Sequence, residues 1–256
     1  MSDLGPFEAG LQRSPGPAGP LPTESEPALL EQIRAEIALY GPLTFARFME
    51  IALYDPDRGY YRSTVERPGR AGDFLTAPDT HPIFGAALAR RLAAVWTDLD
   101  RPDPFVLREY GPGSGTLAAS ILAGLRADGS DLADALVYDP VEINVHRLAD
   151  IRDRLAPTGA RFRAAAPGER FTGAVLGNEF LDALPVHRVE QRDGRLQERF
   201  VDWDEAAGKL TERAAEPSTP ALVDRFRRDG VVLAEGQVGE VCLGLATWLA
   251  LSLIHI

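Results

Sequence analysis

Residues 106–117 read VLREYGPGSGTL. An apolar strand signal at Phe105, Val106 and Leu107 runs into an acid, Glu109. Three alternate glycines follow, Gly111, Gly113 and Gly115, and an apolar helical run begins at Thr116. Alternate glycines let the backbone turn sharply behind a strand and bring its N–H groups close to a ligand. A chain built around this segment is expected to be an α/β protein with a nucleotide-type binding loop between a strand and a helix.

The flanking pattern extends that reading. Strands are expected at 105–110, 135–141, near 161–165 and at 173–176. Helices are expected between them, at 116–127 with Gly129 as C-cap and from Asn144, as N-cap, to Leu155. This rhythm implies a parallel sheet with helices on both faces. Upstream, helices are expected at 28–40, from Thr44, and at 82–98, the last with Ile83, Phe84, Ala87, Leu88, Leu92 and Val95 inward. Downstream, 186–191 and 195–203 flank Asp193-Gly194, a hairpin signal. A polar stretch follows, then helices at 220–228 and from Val238 onward. Gly5 to Pro27 hold six prolines and four glycines with one arginine, the pattern of a disordered tail and not of a targeting signal. The expected organisation is therefore a Pro/Gly-rich tail at 1–27, a helical region at 28–104, and a ligand-binding α/β domain at 105–250 with a hairpin inserted at 186–203. Four parallel strands are fewer than a doubly wound sheet usually carries, so its later strands are expected to be missing. The closing hexapeptide LSLIHI, 251–256, breaks an Ala/Gly/Arg/Pro-rich composition and matches a translated sequencing-library adapter. It is expected to be non-native, with an ordinary apolar helix end as the alternative.

Composition argues against several classes. A net charge of −11 argues against a nucleic-acid partner. Cys242 is the sole cysteine, so there is neither a disulfide framework nor a thiol-rich metal site. No apolar run is long enough to insert in a membrane. Of 27 basic residues only Lys209 is lysine, the codon bias of a GC-rich bacterial genome. A cytoplasmic protein is expected.

The loop details narrow the ligand. Dinucleotide loops read G-x-G-x-x-G, and phosphate-cradling loops carry GK[ST]; this one has neither spacing nor lysine. A compact, uncharged glycine loop suits a ligand without phosphates. Glu109 is placed to receive a cationic or hydroxyl-rich part of it. Glu142 follows the second strand, where a carboxylate can accept both hydroxyls of a ribose; alone, it would read as solvated surface. Together the three features describe an S-adenosylmethionine site, with a nicotinamide cofactor as the weaker alternative. A third cluster, Asn178, Glu179 and Asp182 in GNEFLDALPV, falls at another strand end facing the same crevice. Two carboxylates and an amide suit a guanidinium or amine. The competing reading is that Asn178 and Asp182 cap a short helix at 180–184.

GDFLT (72–76), HPIFG (81–85), EYGPGSGTL (109–117), YDPVE (138–142), NEFLDALPV (178–186) and ERFV (198–201) occur in an order that resembles the MidA-type S-adenosylmethionine-dependent methyltransferases. The resemblance implies a Rossmann-like class I methyltransferase sheet with an N-terminal helical extension. Because the family's mitochondrial member is a complex I assembly factor and protein arginine methyltransferase, it also implies methylation of an arginine on a partner protein. A non-catalytic assembly factor that binds the cofactor is the alternative. By match, Glu109, Gly111, Gly113 and Gly115 would hold the methionine part of the cofactor and Glu142 its ribose. Gly72, Asp73 and Phe74 would form a lid segment, and Asn178, Glu179 and Asp182 would meet the acceptor. Ser114 stands where the family often has arginine, YDPVEIN departs from the family's YxIVExS, and the family continues well past the segment matched here.

Overall fold

The computed structural model describes residues 27–62, 76–163 and 169–253. Helix α1 (Pro27–Tyr40) buries Ile33 and Ile37, one turn apart on one face. A two-residue strand, β1 (Leu43–Thr44), leads into α2 (Phe45–Tyr54), capped by Thr44 Oγ1, which accepts the Arg47 N–H at 3.1 Å. The first helix thus opens at Pro27, inside the range expected to be tail.

A single turn, α3 (Ala77–Thr80), precedes α4 (Ile83–Asp98). Phe84, Leu88, Leu92 and Val95 of α4 pack against the core as expected, but Ile83 and Ala87 do not. Gly85, Ala89 and Trp96 are buried, whereas Ile83 is 68% exposed and Ala87 is exposed as well. The cause is close helix packing. A Cβ on Gly85 would fall 2.3 Å from Ser120 Cβ, and one on Gly124 would fall 2.9 Å from Ala86 Cα. Small residues on both helices let the backbones approach, which rotates the larger Ile83 outward.

The parallel sheet follows the expected rhythm. Strand β2 (Phe105–Tyr110), α5 (Thr116–Ala127), a turn α6 (Leu132–Ala135), β3 (Leu136–Val141), α7 (Val145–Leu155), β4 (Arg161–Phe162) and β5 (Gly173–Leu176) succeed one another. The strand order is β4-β3-β2-β5, all parallel. The chain therefore reverses its winding direction at β2, and the crevice at such a switch point is where α/β sheets bind ligands. Phe105, Leu107 and Tyr138 pack against Ile121 and Leu125 of α5 and Ile151 and Leu155 of α7. On the opposite face Arg108 Nε donates to Asp139 Oδ2 at 2.9 Å, an ion pair that is 3% and 0% exposed.

Beyond the parallel sheet, β6 (His187–Arg192) and β7 (Arg195–Asp204) form the hairpin, turning at Asp193 and Gly194, both at positive φ. It does not stand alone. The polar stretch after it is β8 (Lys209–Ala215), paired along β7. Helix α8 (Pro220–Asp229) follows. Val238 opens a strand, β9 (Val238–Val241), paired with β6, and not the expected helix; the helix α9 (Leu245–Leu253) starts later. β1 completes the five-stranded antiparallel sheet by pairing with β7, Leu43 opposite Val201. One face of this sheet packs Trp203 and Leu210 against α1 and α2; the other packs Val189 and Val241 against Leu222 and Phe226 of α8. No helix among the described residues is long and apolar enough to cross a membrane.

Candidate functional site

The loop after β2 forms the floor of a cavity of about 410 Å³, within the range of roughly 300–1,000 Å³ usual for small-molecule sites. Gly111 and Gly113 both take left-handed φ values, +61° and +57°. A Cβ on Gly111 would stand 3.0 Å from the Phe180 ring, whereas one on Gly113 would meet nothing within 4 Å. The loop thus presses on Phe180 at one side and stays open at the other. Gly115 does not line the cavity. It caps α5 in a left-handed conformation against Ile151, where a Cβ would be 3.3 Å away, so it holds α5 close to α7.

Glu109 lines the cavity although it is 2% exposed. The Tyr138 hydroxyl donates to its Oε2 at 2.6 Å. Burial pushes the Glu109 carboxyl up to about 7, and the tyrosine only partly offsets this. Burial and the neighbouring carboxylate also raise the Tyr138 hydroxyl far above its ordinary range.

The acceptor-side cluster reaches the same cavity. Asn178, Glu179 and Asp182 all line it, Asn178 half-buried and both acids exposed. The turn at Leu181–Ala183 has no side-chain cap, so the capping role open to Asn178 and Asp182 is not realised. Glu179 sits at φ +50°, a left-handed conformation rarely adopted by a glutamate. Phe180 anchors the segment, its ring 5.5 Å from Tyr110 and 5.3 Å from Trp248. From below, the Tyr54 hydroxyl donates to the Ala183 carbonyl at 2.5 Å, tying α2 to this turn.

Glu142 lies just past the end of β3 and is not among the cavity-lining residues. Its Oε1 accepts the Asn144 N–H at 2.9 Å, and burial raises its carboxyl despite Arg147 and Arg62 nearby. Gly72, Asp73 and Phe74 lie outside the described residues.

Sequence reasoning missed four contributors to the wall: Tyr60, Tyr61, Asp79 and Arg147. The Tyr61 ring packs edge-on to Tyr60 at 5.1 Å and tilted to Tyr54 at 5.6 Å. The adjacent Gly59-Tyr60-Tyr61, directly after a helix break, was the available signal. Asp79 is held by the Thr76 hydroxyl at 2.8 Å. Arg147 comes from the first turn of α7, whose cap Asn144 accepts the Arg147 N–H at 3.5 Å.

The lining is strongly biased toward cations. Asp79, Glu109, Glu179 and Asp182 share the lining with Arg147, its single basic residue among the described residues. Phosphates would be repelled, while a ligand with ammonium or sulfonium charge would be favoured. No group of three His, Cys, Asp or Glu side chains suited to a metal exists among the described residues. A buried carboxylate, a glycine cradle open at Gly113 and aromatic walls therefore fit S-adenosylmethionine.

Comparison with known proteins agrees. Residues 87–252 match the model of the Methyltransf_28 family, described as an S-adenosyl-L-methionine-dependent methyltransferase. A Drosophila melanogaster protein, "Protein arginine methyltransferase NDUFAF7 homolog, mitochondrial", is 32% identical over 68% of this chain and 45% of its own length. The Homo sapiens protein arginine methyltransferase NDUFAF7, mitochondrial, is 28% identical over 84% of this chain and 52% of its own. This chain thus spans about half the length of the curated relatives it matches. A crystal structure of a COG1565 superfamily member from Burkholderia thailandensis, bound to S-adenosyl-homocysteine, superposes with a TM-score of 0.75 at 31% identity. It covers 91% of this chain and 62% of that one. On the family match, the structural likeness and the cavity at the switch point, the chain belongs to the S-adenosyl-L-methionine-dependent methyltransferases.

Proposed function

We propose that this protein methylates an arginine nitrogen on a partner protein, a respiratory complex I subunit being the class of partner, and that it does so in the cytoplasm. The observation that carries this reading is the shared cavity: the glycine loop and the Asn178–Glu179–Asp182 cluster line one space. The names of the relatives supply the arginine specificity of the proposal.

S-adenosylmethionine supplies, when bound, a methyl group already activated on a sulfonium. The protein's task is then alignment. Gly111 and Gly113 would let the loop backbone approach the methionine part, with Glu109 beneath it. Gly115 fixes the start of α5. Glu142, which does not line the cavity, is assigned to the ribose hydroxyls on the sequence match alone. A guanidinium, with a pKa above about 12, arrives charged and without a free lone pair. Glu179 and Asp182 would grip it by charge-assisted hydrogen bonds, with Asn178 orienting it. Drawing the positive charge toward one nitrogen leaves the other the better nucleophile. As the N–C bond forms, the methyl–sulfur bond would break with its electron pair staying on sulfur, and the proton released from nitrogen would leave through the exposed acids to solvent.

The test is Glu179→Gln with labelled cofactor and candidate respiratory subunits. We expect cofactor affinity to be retained and methyl transfer to fall by about a hundredfold, the scale of losing one charge-positioning group. Undiminished transfer in that variant would refute the assignment. Wild-type protein that binds cofactor yet labels no acceptor would instead support a non-catalytic assembly role.

A further inference from the structure

Beyond its place beneath the methionine part, the titratable floor of the cavity has no role in the methyl transfer itself. Glu109 is almost wholly enclosed, yet it borders the ligand space. Its hydrogen-bond partner is a neutral phenol, Tyr138 on β3. Its neighbour across β5 is Leu176, which carries no charge. No arginine, lysine or histidine forms an ion pair with Glu109 among the described residues; Arg108, beside it in sequence, points to the other sheet face and pairs with Asp139. The titratable groups facing it across the cavity are Tyr60, Tyr61, Asp79, Glu179, Asp182 and Arg147, three of them acids.

The two ligands of a methyl-transfer cycle differ by one charge. S-adenosylmethionine carries a carboxylate, an ammonium and a sulfonium, net +1. S-adenosylhomocysteine has lost the methyl and the sulfonium charge, net 0. An enclosed carboxylate with no cationic partner is sensitive to this difference, because little solvent screens it.

We propose that Glu109 is a charge-reading specificity residue: it gives up a proton when the methyl donor binds and regains it once the product is formed. The methyl donor is then held against an ionised Glu109 and the product against a neutral one. Burial already lifts this carboxyl into the neutral range, so both states lie within reach at ordinary pH. Discrimination between donor and product rises with pH, by at most about tenfold per pH unit for one linked proton. No bond is made or broken at Glu109 beyond its own O–H. This inference rests on the assignment of the cavity to the cofactor.

Titration calorimetry tests it without any turnover. Each ligand is titrated separately, near neutral pH, in two buffers of different ionisation enthalpy. Donor binding is expected to release more protons than product binding, and Glu109→Gln is expected to abolish the difference. Tyr138→Phe, which removes the hydroxyl but keeps the ring, is expected to shift the linkage to higher pH. Equal proton release for both ligands would overturn the proposal, as would a difference that survives in Glu109→Gln. Failure of wild-type protein to bind either ligand would overturn the cofactor assignment itself. Far-UV circular dichroism of both variants establishes that they are folded.

Discussion

Glu179 lines the cavity against its own backbone preference. Its left-handed φ of +50° costs roughly 1–2 kcal/mol for a residue with a Cβ. A glycine there would remove that cost and lose roughly 0.5–1 kcal/mol through greater unfolded-state freedom. Glu179→Gly is therefore expected to raise stability by about 0.5–1 kcal/mol, read from thermal melts, while methyl transfer falls with the carboxylate. Glu179→Gln keeps the strain and should leave the melting temperature where it is. A drop in melting temperature for the glycine variant would show that the loop is not strained. Glu109, Gly111, Gly113, Asn178, Glu179 and Asp182, which share the cavity wall, were legible in the sequence because acids and glycines at strand ends are local signals; Gly115 and Glu142 carry the same signals and do not line it. Tyr60, Tyr61, Asp79 and Arg147 were not legible, because their approach to the cavity depends on how separate elements pack.

At the scale of elements, the βαβ segment was readable almost residue by residue. Strand, glycine turn, helix and cap each lie within a short window, so the pattern carries its own geometry. The second sheet was less readable, for a physical reason. β8 is an edge strand in which Leu210 is the large side chain that packs inward, so KLTERAA shows little alternation. β9 is four residues long and becomes a strand by pairing with β6, more than forty positions earlier in sequence. In α4 the inward Phe84, Leu88, Leu92 and Val95 were legible, whereas the close contact of Gly85 with α5 was not, because a glycine carries no apolar signal. That contact gives a sharp expectation. Gly85→Ala improves helix propensity by about 1 kcal/mol but drives a methyl into Ser120, an overpacking cost of about 1–3 kcal/mol. We expect a net loss of up to about 2 kcal/mol in urea unfolding; a raised midpoint would mean the helices separate readily.

For the whole molecule, the enclosed Glu109 sets a pH dependence of folding. Its carboxyl rises from an ordinary 4.5 to about 7 in the folded chain. The folded state therefore binds the proton more tightly than the unfolded state. The contribution is fully present below pH 4.5 and is lost as pH climbs through 7, on the order of 3 kcal/mol in total. Urea unfolding across this window should show wild type losing stability relative to Glu109→Gln, and parallel curves for the two would contradict it. The molecule also joins its distant parts late. Leu43 pairs with Val201, and the apolar face of the first two helices is covered by strands from that later region. At a synthesis rate of roughly 5–20 residues per second, Ile33, Ile37 and Ile51 wait on the order of ten seconds for their cover. During that interval the nascent chain displays a sticky surface on the ribosome, and holding it apart from other chains becomes the work of a chaperone.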